Sequence, residues 1–215
     1  MRTAATHLTY SGFRMKYFIA HLLTGDVARY HLELTQSLSE RFHTTPLYKK
    51  VQSHLTVKIP FEANQFELAQ VEERLALLAA SREAVPLTFE GFGRFGFKTV
   101  YLDVTKSQRA VELVREAVNV VNELPWMQRI PHEGNKLHAS VARFMTYKKF
   151  RRVWRYLKQE RPCFESTLDS LALLKKEAPH EPWAVHRMFT LGFPALTDQG
   201  VCERVRPATV RPAYL

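Results

Sequence analysis

The chain has 215 residues, of which 46% are hydrophobic and 24% charged, and a formal net charge of +10. This is an ordinary globular balance in a chain long enough for one large domain with a proper core, and no low-complexity block interrupts it. A positive excess of this size favours polyanionic partners, because each phosphate contact releases condensed counterions. A generic basic surface without a nucleic-acid partner is the alternative.

Nothing in the sequence indicates export or insertion into a membrane. The apolar run Phe18–Leu23 is too short for a span and is soon followed by Asp26 and Arg29. The two cysteines, Cys163 and Cys202, form neither a disulfide framework nor a metal-binding spacing. We therefore expect a monomeric cytoplasmic protein with reduced cysteines and no membrane partner.

Apolar periodicity predicts one domain over residues 15–194, between an extension (1–14) and a tail (195–215). Asn64 and Ser107 are predicted to cap the helices that follow them. In chain order, the predicted elements are strand Met15–Leu23, helix Asp26–Phe42, strand Val51–Phe61, helix Gln65–Ala80, strands Pro86–Phe95 and Lys98–Val104, helix Gln108–Leu124, strand Leu137–Phe144, helix Tyr147–Gln159, and strands Phe164–Lys175 and Trp183–Phe193.

The order strand, helix, hairpin occurs twice in this pattern, over Val51–Val104 and over Leu137–Phe193. This repetition predicts an α+β fold of two similar lobes, each an antiparallel sheet with helices on its outer face. Gly91, Gly93 and Gly96 in the first hairpin predict bulges or close approach of another group to the backbone.

A histidine and a hydroxyl residue stand two positions apart on the first strand of each repeat. These are His54 and Thr56 in VQSHLTVKIPF, and His138 and Ser140 in LHASVARF. Residues i and i+2 of a strand point to the same face, so each motif presents an imidazole beside a hydroxyl. Two imidazoles titrating near neutral pH can serve as base and acid in one turnover, while hydroxyls donate to phosphate oxygens. This chemistry requires no metal and no cofactor.

The motif alone has low specificity, because His7 with Thr9 and His43 with Thr45 match it too. Only the motifs of His54 and His138 open onto apolar strand patterns at matching places in the two repeats. Each histidine could instead be a half-buried structural residue of its strand. The matched pair favours a shared catalytic site.

HLTV and HASV together resemble the paired H-x-T/S-x signature of the 2H phosphoesterase superfamily. The similarity covers about Met15–Phe193 and is greatest to the 2'-5' RNA ligase-like, RNA 2',3'-cyclic phosphodiesterase branch. Its further marks are an initial strand like MKYFIAHL, an arginine shortly after the second motif, as at Arg143, and a closing hairpin. Ser140 replaces the commoner threonine and keeps the donor hydroxyl.

The resemblance implies two lobes related by a pseudo-twofold axis, with the motif strands lining a central cleft. It implies that His54, Thr56, His138 and Ser140 form the active site. The implied reaction opens 2',3'-cyclic phosphates of RNA ends or nucleotides to a 2'-phosphate, with RNA or a cyclic nucleotide as the partner. Alternatives on the same site are ATP-independent 2'-5' ligation and 3'-end trimming. A basic RNA-binding module with structural histidines is the alternative from another class.

Three further residues are candidate substrate contacts. By strand alternation, Lys58 shares the face of His54 and can meet phosphate at the cleft rim, or else is a solvated lysine. Arg143 has the opposite parity to His138 unless a bulge intervenes. Trp183 can stack on a base or belong to the core. The basic helix Tyr147–Gln159 is either an RNA-backbone contact or an ordinary solvated face.

Overall fold

The structure is a computed structural model that describes residues 13–105 and 107–192. Most of the predicted N-terminal extension and the whole predicted tail therefore lie outside the described residues. The strands are β1 (Met15–Leu22), β2 (His54–Ala63), β3 (Val85–Phe95), β4 (Thr99–Thr105), β5 (His138–Ala142), β6 (Cys163–Leu168), β7 (Ser170–Lys176) and β8 (Ala184–Thr190). The helices are α1 (Gly25–Phe42), α2 (Gln65–Ser81), α3 (Gln108–Asn122) and α4 (Tyr147–Leu157), with a 3-10 turn at Leu47–Lys49.

The strands form two antiparallel sheets of four strands each, in the orders β2-β1-β7-β8 and β5-β4-β3-β6. The predicted α+β fold with two similar sheets is thereby confirmed. Each motif strand, β2 or β5, lies at the edge of its sheet, and the two strands contact each other. The motif histidines are therefore brought to the junction between the two sheets.

The chain exchanges its hairpins between the sheets. The β3–β4 hairpin follows motif strand β2 in sequence but pairs with β5, whereas the β7–β8 hairpin follows β5 and joins the sheet of β2. One predicted strand, Phe164–Lys175, is in fact two strands separated by Asp169. β6 pairs with β3 in one sheet, and β7 pairs with β1 in the other. The crossing at Asp169 is what links the two sheets in this part of the chain.

A continuous apolar core lies between the sheets and the helices. Helix α1 packs against β5 and β6, and α2 packs against β2, β7 and β8. The predicted cap at Asn64 is confirmed, because its side chain accepts from the Glu67 amide while the Glu67 carboxylate accepts from the Asn64 amide. Ser107 occupies the N-cap position of α3 as predicted, but its side chain makes no capping bond, since the hydroxyl donates to the Thr105 carbonyl instead.

Two further sequence expectations concern the surroundings of the chain. Among the residues that the structure describes, no helix is both long and apolar enough to cross a membrane. Cys163, at the start of β6, is disulfide-bonded, so the expectation that the cysteines are reduced is wrong for this residue. Cys202 lies outside the described residues.

Candidate active site

Both motif strands carry a bulge at the same place, one residue after the motif hydroxyl. On β2, Thr56 pairs with Ala20 and Lys58 with Ile19, so that Val57 is the extra residue. On β5, Ser140 pairs with Tyr101 and Ala142 with Val100, and Val141 is the extra residue. A bulge of this kind inverts the alternation of the side chains beyond it. The residues that follow each motif therefore point to the opposite face from the one that alternation predicts.

The inversion at Val57 corrects the role predicted for Lys58. Instead of reaching the cleft rim, this side chain turns inward and is only 1% exposed. Its ammonium group donates to the Glu133 carboxylate at 2.7 Å and to the Gln128 carbonyl at 3.1 Å. The other Glu133 oxygen accepts from the amide of Ile59 at 2.7 Å. Lys58 thus ties β2 to the loop that leads into β5, and it is not available to a phosphate.

The inversion at Val141 has the opposite effect on Arg143. Beyond the bulge this arginine lies on the face of His138 and Ser140, and its side chain is exposed. Its positive charge contributes to lowering the pKa of both His54 and His138. The sequence allowed Arg143 to lie in the cleft only if a bulge intervened after His138. The structure contains that bulge, at Val141.

The two motif histidines make equivalent hydrogen bonds. Nδ1 of His54 bonds to the carbonyl of Gln52 at 2.7 Å, and Nδ1 of His138 bonds to the carbonyl of Lys136 at 2.9 Å. A carbonyl oxygen can only accept, so each Nδ1 carries the hydrogen. In the neutral ring, Nε2 then has the free lone pair, and that nitrogen can take a proton from a substrate or water. The backbone thereby sets the same tautomer at both positions.

Both imidazoles have lowered proton affinity. Burial is the main cause at His54, whose pKa falls to about 4, and the charges of His31, Arg143 and His138 lower it further. Burial also lowers the pKa of His138, against the bond to the Lys136 carbonyl, which raises it. The strands that carry the two rings contact each other. Both pKa shifts favour the neutral form of the ring in the unliganded protein.

Each imidazole has the hydroxyl of its motif on the same side of its strand. Thr56 and Ser140 are partly exposed, and within the described residues neither hydroxyl has a hydrogen-bond partner. Both are free to donate to a ligand between the strands.

A third histidine, His31 on α1, joins the two motif strands. Its Nδ1 lies 2.9 Å from the hydroxyl of Ser53, the residue that precedes His54 in the sequence. Its Nε2 lies 2.9 Å from the Ser140 carbonyl. The ring is buried, and burial lowers its pKa to about 4. Nε2 therefore donates to the carbonyl, and Nδ1 accepts from the hydroxyl. Sequence reasoning assigned no role to His31, since no spacing in the sequence connects it to either motif.

Aromatic rings flank both motif histidines. Phe18 meets His54 edge-on at 5.4 Å between ring centroids, and Trp183 in turn meets Phe18 at 4.6 Å. Trp183 is thus one ring removed from His54. It is partly buried against a small apolar cluster of the first sheet, which agrees with the packing role that the sequence allowed, while stacking on a base stays a prediction.

The His138 ring contacts both Phe95, at 4.8 Å between centroids, and Tyr101, at 5.0 Å, and these two rings also contact each other. Gly93 is opposite Tyr101 on the neighbouring strand, and a Cβ atom at Gly93 would overlap the tyrosine ring. The predicted close approach to the backbone is confirmed at this glycine, which makes room for the ring that supports His138.

At the junction of the two sheets lie two imidazoles in equivalent settings, two hydroxyls without hydrogen-bond partners among the described residues, and an arginine. Comparison with known proteins identifies the family. A model of the 2'-5' RNA ligase superfamily matches residues 26–180, which include both motifs, and the chain belongs to this superfamily.

Relatives and solved structures agree with this assignment. A protein of Geobacillus sp. (strain WCH70) named "Putative phosphoesterase" is 24% identical over 149 residues, which cover 67% of this chain and 82% of the relative. The fold is similar to TT0787 of Thermus thermophilus, with a TM-score of 0.61, 20% identity and coverage of 82% of this chain and 98% of that one. It is also similar to E. coli LigT complexed with 3'-AMP, with a TM-score of 0.57, 13% identity and coverage of 83% and 98%.

Proposed function

We propose that this protein is a metal-independent phosphodiesterase that opens 2',3'-cyclic phosphates of RNA ends or nucleotides and leaves a 2'-phosphate. The observation that carries the proposal is the matched pair of imidazoles, His54 and His138, each held by a backbone carbonyl in the same tautomer. One imidazole can accept a proton and the other donate one across a shared ligand. Membership of the superfamily and the nucleotide bound to LigT, by its title, favour the same substrate class.

In the proposed reaction, one imidazole takes a proton from water through Nε2 as the water oxygen bonds to phosphorus. The bond between phosphorus and the ribose O3' breaks, and the second imidazole, in its protonated form, gives its proton to O3'. The products are a 2'-phosphate and a free 3'-hydroxyl. Thr56 and Ser140 donate to the non-bridging oxygens, and the guanidinium of Arg143 offsets their negative charge.

The lowered pKa values suit the base directly, because its ring must be neutral. The acid must be charged when it acts. A bound phosphodiester contributes a negative charge beside both rings, and an opposite charge nearby favours the protonated imidazole. Substrate binding therefore supplies the condition under which one of the two rings becomes an acid. Which of them does so depends on the side from which water attacks.

The test is hydrolysis of 2',3'-cyclic mononucleotides and of cyclic-ended RNA, with the product resolved as 2'- or 3'-phosphate. His54→Ala and His138→Ala should each lower kcat/KM by about 10²–10⁴-fold, the usual contribution of a general acid or base. His180→Ala, at an exposed position far along the chain from both motifs, is the matched control and should retain the wild-type rate. A wild type without hydrolysis, or a 3'-phosphate product, overturns the proposal.

The same panel separates the alternatives. Joining of 2'-5' ends without ATP, or release of single nucleotides from a 3' end, would indicate ligase or exonuclease chemistry on this site. RNA binding of equal strength by wild type and both alanine variants, without any turnover, would indicate a binding module. A cytoplasmic location and a monomeric state remain predictions from the sequence.

A further inference from the structure

Four exposed aromatic side chains lie on two segments that are hydrogen-bonded to each other beside His138. They are Phe95, Phe97, Phe144 and Tyr147, and we call them the aromatic strip. Phe95 is 43% exposed while its ring contacts His138, and Phe97 is 44% exposed. Phe144 and Tyr147 are 74% and 59% exposed. Large apolar rings are rarely grouped in water without a ligand or partner.

Backbone contacts hold the strip together. Phe95 and Phe97 lie on the turn between β3 and β4, which is closed by a bond from the Lys98 amide to the Phe95 carbonyl. The Met145 amide donates to the Lys98 carbonyl at 3.2 Å and fixes this turn beside the segment that follows β5. Phe97 and Tyr147 then meet edge-on at 5.9 Å. The rings from two distant segments therefore form one surface.

Phe144 is held in a conformation that costs energy. Its φ angle is +56°, in the left-handed region that a bulky residue rarely adopts. Such strain persists only where the surrounding structure imposes it, and it is concentrated at functional sites. Here it projects a phenyl ring into solvent beside Arg143, whose guanidinium carbon lies 5.0 Å from the ring centroid.

The charge of this surface is uniformly positive. Residues 91–102 and 138–159, which carry the strip, contain nine lysines and arginines and no acidic residue, against a net charge of +10 for the whole chain. Arg151 lies over the Tyr147 ring with its guanidinium carbon at 6.0 Å. The segments that carry the aromatic strip are therefore strongly basic.

We infer that the aromatic strip binds the nucleotides that precede the reacting end of a single-stranded RNA. Exposed rings interleaved with arginines suit unpaired bases, which stack on the rings while the cations meet the phosphates. A duplex hides its base faces, so its bases cannot stack on the rings. The inference rests on the proposed function, since it extends the same substrate away from His138, and it makes a strand of several nucleotides a better substrate than a mononucleotide.

The first test measures binding alone and does not need turnover. The probe is a fluorescent single-stranded RNA octamer ending in a 2'-phosphate, titrated with the full chain and followed by anisotropy. Phe144→Ala/Tyr147→Ala should weaken binding about 10- to 100-fold, from the loss of two stacking platforms. Phe66→Ala removes an equally exposed ring from α2, 75% exposed, and should bind like wild type. Equal binding by wild type and the double variant would overturn the inference.

Two further binding experiments test the salt dependence of binding and the preference for single-stranded over double-stranded RNA. Arg151→Gln should reduce the slope of log K against log salt by about 0.7, the value for one phosphate contact on a single strand. Arg29→Gln, at an exposed arginine of α1 paired with Asp26, should leave the slope unchanged. An RNA duplex of the same length should bind more weakly than the single strand. A duplex that binds as tightly would show that charge alone attracts RNA, and would also overturn the inference.

A second test measures hydrolysis and asks whether the aromatic strip binds the same RNA that reacts at His54 and His138. The ratio of kcat/KM for the cyclic-ended octamer to that for a 2',3'-cyclic mononucleotide should exceed one in wild type and fall about 10-fold or more in Phe144→Ala/Tyr147→Ala. Phe66→Ala should keep the wild-type ratio. Octamer binding that depends on the strip, without hydrolysis of either substrate, would refute the proposed function and leave the strip standing. Thermal unfolding of the double variant separates a lost contact from a lost fold.

Discussion

Replacing His31 by glutamine removes one buried titrating group from the contact between the motif strands. A glutamine amide can still donate to the Ser140 carbonyl, as Nε2 of His31 does, but it cannot bind a proton. His31 is 6% exposed and its pKa is lowered from 6.5 to about 4 by burial. Because the pKa of His31 is lower in the folded chain than in the unfolded chain, the unfolded chain binds more protons as the pH falls. This extra proton binding favours unfolding. Wild type should therefore lose stability from about pH 6.5 downward.

The linkage relation gives the size of this loss. With a pKa of 6.5 in the unfolded chain and about 4 in the folded chain, His31 alone costs about 2 kcal/mol of unfolding free energy between pH 8 and pH 5. The assay is urea denaturation of wild type and His31→Gln at both pH values. The variant should start less stable at pH 8, because packing around the ring is lost, but its further loss down to pH 5 should be about 2 kcal/mol smaller than in wild type.

Comparing the two differences cancels the contributions of those titrating groups whose pKa does not depend on His31, since these are the same in both proteins. His180→Gln, in the exposed turn before β8, should show the wild-type pH dependence and serves as the matched control. If His31→Gln and wild type lose the same free energy between pH 8 and pH 5, burial does not hold His31 neutral, and its place as a buried link between the motif strands is refuted.

Two other substitutions test the packing around the site. Lys58→Met leaves the Glu133 carboxylate buried without its partner and should lower the free energy of unfolding by about 3–5 kcal/mol, measured by urea denaturation. Lys58→Met/Glu133→Gln should recover part of that loss, and a single variant as stable as wild type would contradict the structural role of Lys58. Gly93→Ala adds a Cβ that overlaps Tyr101 and should cost about 1–3 kcal/mol of stability and lower kcat/KM through His138. Adding Tyr101→Leu should restore stability, and an unaffected Gly93→Ala would contradict the close approach.

The two motif strands have the same position and the same irregularity in their sheets. In each, the motif strand lies at the edge, carries its histidine and hydroxyl on one face, and has a bulge directly after the hydroxyl. Because the bulge inverts the later side chains, one strand turns Lys58 into the core while the other turns Arg143 out beside the imidazoles. The same backbone device thus stabilises one half of the site and supplies charge to the other.

The amino-acid sequence by itself determined the local features of this protein. Strand and helix periods follow from backbone geometry and side-chain polarity over a few residues, so the bounds of α2 and its cap at Asn64 could be predicted from neighbouring residues. The shared face of His54 and Thr56 follows from the same rule, and so does that of His138 and Ser140. Pairing the two motifs needed only their equivalent places in a repeated order of elements.

Only the tertiary structure decided the features that depend on distant partners. The bulge at Val57 exists through pairing with β1, and the destination of Lys58 depends on Glu133 in a loop far along the chain. The division of the predicted strand at Asp169 arises because β6 pairs in one sheet and β7 in the other. His31 connects Ser53 to Ser140 because α1 packs across β5. Hydrogen bonds and ion pairs between residues distant in sequence leave no periodic signal in it, and they become visible once the chain is folded.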